Sequence, residues 1–184
     1  ERLPVLPAAW LERVRAAAGR RVVVTGAGGF IGRAVMPALA ARGFAVRGLV
    51  RNTSPPSEGA EIRIIGDLAQ VNGHALAELL RDADAVVHLA ARVHLPASAE
   101  AQAALRTMNV DLTERLARAA AACGVAHFVF ASSIKVNGDA TLPGRPFREA
   151  DTPHPPAAYA RRTAGAEGPP AQVPAAPGPG ATAC

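Results

Sequence analysis

Three glycines, Gly26, Gly29 and Gly32, stand in "VVVTGAGGFIGRA" with the spacing GxxGxxG. That spacing suits one kind of chemistry, the holding of a phosphate by main chain alone. The β-branched run before them, "RRVVVTG" at 20–26, reads as a buried parallel strand. The stretch after them, "FIGRAVMPALAARG" at 30–43, has helical spacing and closes on Gly43. Between a strand and a helix, such glycines permit a tight turn, close approach of a pyrophosphate and close helix–strand packing. The helix opens at Phe30 and Ile31, where unpaired N–H groups and the positive dipole end are offered to an anion.

A turn of this kind works only if a sheet carries it. Further strands read at 45–51, 61–68, 85–91 and 126–133. Helices read at 72–84, capped by Asn72, and at 99–122, an alanine-rich stretch closed by Gly124. Strands and helices alternating at this pace predict an α/β fold, a doubly wound parallel sheet. A flavodoxin-like sheet shares the alternation but lacks the glycine pattern. Residues 1–20 read as an N-terminal extension with a short helix over 8–18. The tail, 168–184, is mostly Pro, Gly and Ala without periodicity. It offers too little apolar surface to offset its ordering entropy and is expected to be disordered.

The composition excludes several classes. The 184 residues carry a net charge of +5, but arginines are scattered and form no basic stripe, so nucleic acid is not an expected partner. No apolar run approaches the roughly 18 residues of a membrane span, and the first residues lack the pattern of a signal peptide. A cytoplasmic chain is expected. Cys123 and Cys184 form neither a disulfide framework nor a metal-ligand spacing.

The ordered motifs "TGAGGFIG", "GDL" at 66–68, "HLAA" at 88–91, "NV" at 109–110, "FASSIKVNG" at 130–138 and then Tyr159 carry a resemblance. Over 21–167 the chain resembles the extended short-chain dehydrogenases/reductases, in particular the NAD-dependent epimerase/dehydratase family acting on nucleotide sugars. The resemblance implies a Rossmann-type sheet, here incomplete at the C-terminus. It also implies NAD or NADP as cofactor, and a UDP-sugar epimerised or reduced at C4. It places Asp67 and Leu68 at the adenine, and Leu89, Ala90 and Ala91 along the cofactor. Asn109 would hold the active site together. Asparagine is poorly favoured inside a helix, so a polar task is expected of it in any case. His88 reads as a packed strand residue. After the second strand, where NAD binders place Asp or Glu, this chain has Val50 and Arg51. An arginine there can pair with a 2′-phosphate.

The resemblance assigns acid–base chemistry to Ser133, Tyr159 and a lysine four residues after the tyrosine. A nearby ammonium stabilises a phenolate, whose phenol otherwise titrates near about 10. This chain carries Thr163 at the lysine position, and neither Arg161 nor Arg162 shares its helix face. Arg145, Arg148 and His154 lie where related enzymes admit substrate and could meet a diphosphate or stay solvated. Such enzymes often dimerise through helices equivalent to 99–122 and 157–167. Thr163 and the abrupt tail together point to impaired chemistry. The expected forms are a truncated enzyme, a dinucleotide-binding module without turnover, or a non-functional remnant.

Overall fold

The computed structural model describes residues 19–52, 59–92, 98–141, 144–148, 151–152 and 181–183. The strands are β1 (Arg21–Thr25), β2 (Ala45–Val50), β3 (Ala60–Ile64), β4 (Ala85–His88), β5 (His127–Phe130) and β6 (Ala181–Ala183). The helices are α1 (Phe30–Ala40), α2 (Gly73–Leu79), α3 (Ala99–Arg106) and α4 (Leu112–Ala122). All strand pairs are parallel, in the order β3-β2-β1-β4-β5-β6. The order reverses between β1 and β4. In open α/β sheets, ligands bind in the crevice at the carboxyl ends of the strands on either side of such a reversal.

Side chains alternate across the sheet and build two cores. Val22 and Val24 of β1 point to one face, where they pack with Met36 of α1 and with Val46 and Val50 of β2. Val23 points to the other, joining Leu49, Leu76, Val86, Leu112 and Leu116 beneath α2 and α4. Sheets covered on both faces need strands that are apolar throughout, and β1 supplies one. The exception is Arg47, a buried cation in β2. Its guanidinium bonds Glu61 at 2.9 Å and donates to the carbonyls of Leu79 and Arg81. Its charge is thus paired, and the N–H groups of Nε and Nη1 have acceptors, as burial requires.

The sheet departs from expectation in its extents. The third strand ends at Ile64, so that Asp67 and Leu68 belong to a 3₁₀ turn, Leu68–Gln70, instead of a strand. The fourth and fifth strands end at His88 and Phe130, short of 91 and 133. The predicted single helix over 99–122 is two helices joined by a π-helical turn, Thr107–Asp111. Asn72 caps α2 as expected, its side chain accepting from the Ala75 N–H.

Ala181–Ala183 also differ from the expected disorder of the tail, since they pair with Phe128–Phe130 of β5. Composition reports what side chains can bury. A parallel ladder needs only main-chain groups and an unpaired edge to receive them. The rest of the tail and the expected helices at 8–18 and 157–167 lie outside the described residues.

Candidate functional site

At the carboxyl ends of β1, β2 and β4 lies a cleft of about 180 Å³. Gly26 and Gly29 of the turn form one wall, with Leu89, Ala90 and Ala91 beside them. Leu49, Val50 and Arg51 from the end of β2 form another, and Ile65, Gly66, Asp67 and Leu68 a third. Met108 of the π turn closes the floor.

The turn admits no side chain at its two tightest points. Gly26 has φ +67°, and a Cβ there would lie 2.8 Å from the main-chain nitrogen of Ala90. A Cβ on Gly32 would press on the Gly26 carbonyl oxygen and sit 2.6 Å from that of Ala27. Glycine at these positions therefore lets α1 seat itself against the turn. Gly29 is the N-cap of α1 and provides no side-chain cap, and no acidic residue stands in the first turn. The first intrahelical bond to Gly29 comes from Arg33. By helix geometry, the N–H groups of Phe30, Ile31 and Gly32 have no acceptor within the helix. A main-chain cradle with that polarity fits a pyrophosphate.

Asp67 serves two partners. One carboxylate oxygen accepts from the Ala69 N–H at 3.0 Å, and the other lies 3.6 Å from the Arg92 guanidinium. Arg92 is in turn fixed by its main chain. Its N–H donates to Asn109 Oδ1 at 2.8 Å and its carbonyl accepts from Asn109 Nδ2 at 2.7 Å. The buried amide of Asn109 is thereby satisfied on both sides, which is the polar task expected of it. Arg51 is exposed at the rim and makes no ion pair among the described residues.

Behind the cleft, His88 is buried between two threonines. Its Nδ1 lies 2.6 Å from Thr25 Oγ1 and its Nε2 lies 3.1 Å from Thr113 Oγ1. Burial pushes its imidazole down to about 4 from the ordinary 6.5, so the ring is neutral near pH 7.

Of the residues expected at the site, the cleft gathers Gly26, Gly29, Arg51, Asp67, Leu68, Leu89, Ala90 and Ala91. Gly32 is buried beneath the turn, while Phe30 and Ile31 stand exposed beside it. Asn109 does not line the cleft but bonds Arg92, the partner of Asp67. Ser133 follows β5 at the same end of the sheet, where its hydroxyl oxygen accepts from the Lys135 N–H at 3.3 Å. Tyr159, Thr163 and His154 lie outside the described residues. Sequence reasoning missed Leu49, Val50, Ile65, Gly66 and Met108 as lining, because nothing in an apolar residue's type marks it as part of a cleft.

The strand order, the reversal and the glycine cradle define a Rossmann-type α/β protein. Residues 22–167 match the NAD dependent epimerase/dehydratase family, and the chain belongs to that family. It is 34% identical over 136 residues to the UDP-glucose 4-epimerase of Vibrio cholerae, a match covering 72% of this chain and 40% of that protein. It is also 34% identical over 136 residues to a 3-beta-hydroxysteroid dehydrogenase of Mycolicibacterium neoaurum, covering 67% of this chain and 37% of that one. Among solved structures it resembles MoeE5 in complex with UDP-glucose and NAD. That likeness has a TM-score of 0.68 and 34% identity, and covers 80% of this chain and 46% of that one. It is similar also to the UDP-N-acetylglucosamine 4-epimerase of Methanobrevibacter ruminantium M1, with a TM-score of 0.69 and 29% identity, over 82% of this chain and 49% of that one. The chain thus spans about 40% of the curated relatives it matches and somewhat under half of these solved structures.

Proposed function

We propose that this chain binds NAD or NADP in the cleft between β1, β2 and β4, as part of a nucleotide-sugar epimerase or reductase. The observation that carries the reading is the side-chain-free cradle of Gly26, Gly29 and Gly32 at the sheet's reversal. Phe30, Ile31 and Gly32 would hold the pyrophosphate through main-chain N–H groups. Asp67 and Leu68 would meet the adenine, and Leu89, Ala90 and Ala91 would lie along the dinucleotide. Arg51 would face the ribose, and its charge suits a 2′-phosphate.

A bound nicotinamide would supply the acceptor and donor of hydride at a sugar carbon, C4 in this reading. Tyr159 would take the proton of the hydroxyl on that carbon. Ser133 would donate a hydrogen bond to the same oxygen, since its own oxygen already accepts from Lys135 and its proton remains to be given. Holding the hydroxyl between these two groups is the larger part of what the protein contributes. The substrate class, a UDP-sugar, rests on the relatives named above.

A second reading has one residue in its favour. Thr163 stands where the family's lysine would support a phenolate, and a neutral hydroxyl cannot lower a phenol's pKa as an ammonium does. In that reading the chain holds a dinucleotide without turning it over. Assay of the chain and of Thr163→Lys with UDP-glucose, alongside dinucleotide titration, separates the two. Turnover that rises at least about tenfold in Thr163→Lys supports the enzyme. Binding without turnover in either protein supports the module, and absence of binding rejects both.

A further inference from the structure

The hydrogen bonds around His88 can be ordered by direction. The Asn109 carbonyl can only accept, so the Thr113 hydroxyl, 3.0 Å away, donates to it. Thr113 Oγ1 must then accept from His88 Nε2, which carries the ring proton. The neutral ring leaves Nδ1 bare, and it accepts from the Thr25 hydroxyl. Both remaining lone pairs of Thr25 Oγ1 are taken by the N–H groups of Leu89 and Ala90, each at 3.2 Å. In this order both ring nitrogens and both hydroxyl protons have a partner, and the Leu89 N–H is shared with the Thr25 carbonyl at 3.3 Å. The opposite order would bring three donors to Thr25 Oγ1 and leave its own proton without an acceptor.

This chain of bonds starts at the π turn and ends in the cleft wall. At one end is Asn109, which fixes Arg92 and so the partner of Asp67. At the other are the main-chain nitrogens of Leu89 and Ala90, part of the Leu89–Ala90 main chain that leaves Gly26 no room for a Cβ. The groups facing the ring are Thr25 from β1, Thr113 from α4, and the rings of Phe128 and Phe130 from β5, at centroid distances of 6.2 Å and 5.8 Å; none is charged.

We propose that His88 is a positioning residue of the dinucleotide cleft: held as its Nε2–H tautomer between Thr113 and Thr25, it ties the π turn to the cleft wall at Leu89 and Ala90. The proposal rests on the reading of the cleft as a dinucleotide site. It implies that Thr113, which does not line the cleft, affects affinity there.

The test is titration of the full chain with NADH and NADPH by calorimetry, comparing wild type, Thr113→Val, Thr113→Ser and the core variant Leu116→Ala. Thr113→Val keeps shape but removes the acceptor of His88, and affinity is expected to fall about tenfold. Thr113→Ser restores the hydroxyl and is expected to bind like wild type. Leu116→Ala is expected to lower the melting temperature without changing the affinity of the folded protein. Nitrogen-15 NMR of wild type is expected to show the Nε2–H tautomer at pH 7. Wild-type affinity in Thr113→Val, or an Nδ1–H ring, overturns the proposal while leaving the dinucleotide site intact. A wild type that binds neither dinucleotide overturns the site itself and the positioning role with it. Should Thr113→Val fail to fold, the tautomer in wild type decides.

Discussion

At the scale of single residues, four of the buried polar groups of the described structure are tied into one chain of hydrogen bonds. Thr25, His88, Asn109 and Thr113 are all buried and all hydrogen-bonded. Their cost appears at low pH. His88 titrates near 6.5 in an unfolded chain and at about 4 when folded, because burial disfavours its charge. Between those values the unfolded chain binds more protons, so stability is whole above about 6.5 and lost as pH falls toward 4. The loss amounts to about 3 kcal/mol. Glu61, held below the usual carboxylate range first by its hydrogen bond from Arg47, weakens the fold in the same direction at more acidic pH. Urea denaturation between pH 8 and 4.5 checks this. Stability is expected to hold level from pH 8 to about 6.5 and to fall below it, and a profile flat down to pH 4.5 would contradict a buried neutral imidazole. Arg51, at the cleft rim, is proposed to face the ribose. Arg51→Glu is expected to lower NADPH affinity relative to NADH by about tenfold, measured by parallel titrations. An unchanged ratio would place the arginine away from the ribose.

At the scale of elements, the sequence was most legible where periodicity and glycine punctuation agree. β1, the glycine turn and α1 stand where "VVVTGAGGFIGRA" predicts them, as does the Asn72 cap. The turn is also where substitution should tell most. Gly26→Ala must hold a side chain at φ +67° against Ala90, which combines left-handed strain with a clash. Destabilisation of about 2–4 kcal/mol is expected in chemical denaturation, together with lost dinucleotide binding. Full stability in that variant would mean that the turn is looser than its geometry.

Less legible were features fixed by partners distant in sequence. The π turn at 107–111 leaves no mark in an alanine-rich helix. It accompanies an asparagine that must reach both main-chain groups of Arg92. Asp67 reads as a strand residue because "EIRII" before it alternates, yet its carboxylate caps a 3₁₀ turn by accepting from Ala69. The ends of the strands were over-extended for the same reason: a β-branched or apolar run does not show where its ladder stops. β6 was invisible because a Pro/Gly/Ala tail has no strand pattern of its own.

At the scale of the whole molecule, function follows from where the topology reverses. β1 and β4 are neighbours at the reversal, so the glycine turn and residues 89–91 lie side by side in one wall of the cleft. The chain spans about 40% of the curated relatives it matches. Binding of the dinucleotide is therefore the property most directly written in the described residues. Among them, no helix is long and apolar enough to cross a membrane.

The most direct measurement is an isothermal titration of the full chain with NADH and, separately, NADPH at pH 7.5. Saturable one-to-one binding of at least one of them is expected, abolished in Gly26→Ala samples that remain folded. Absence of binding by both, in a wild-type chain shown to be folded, would contradict it.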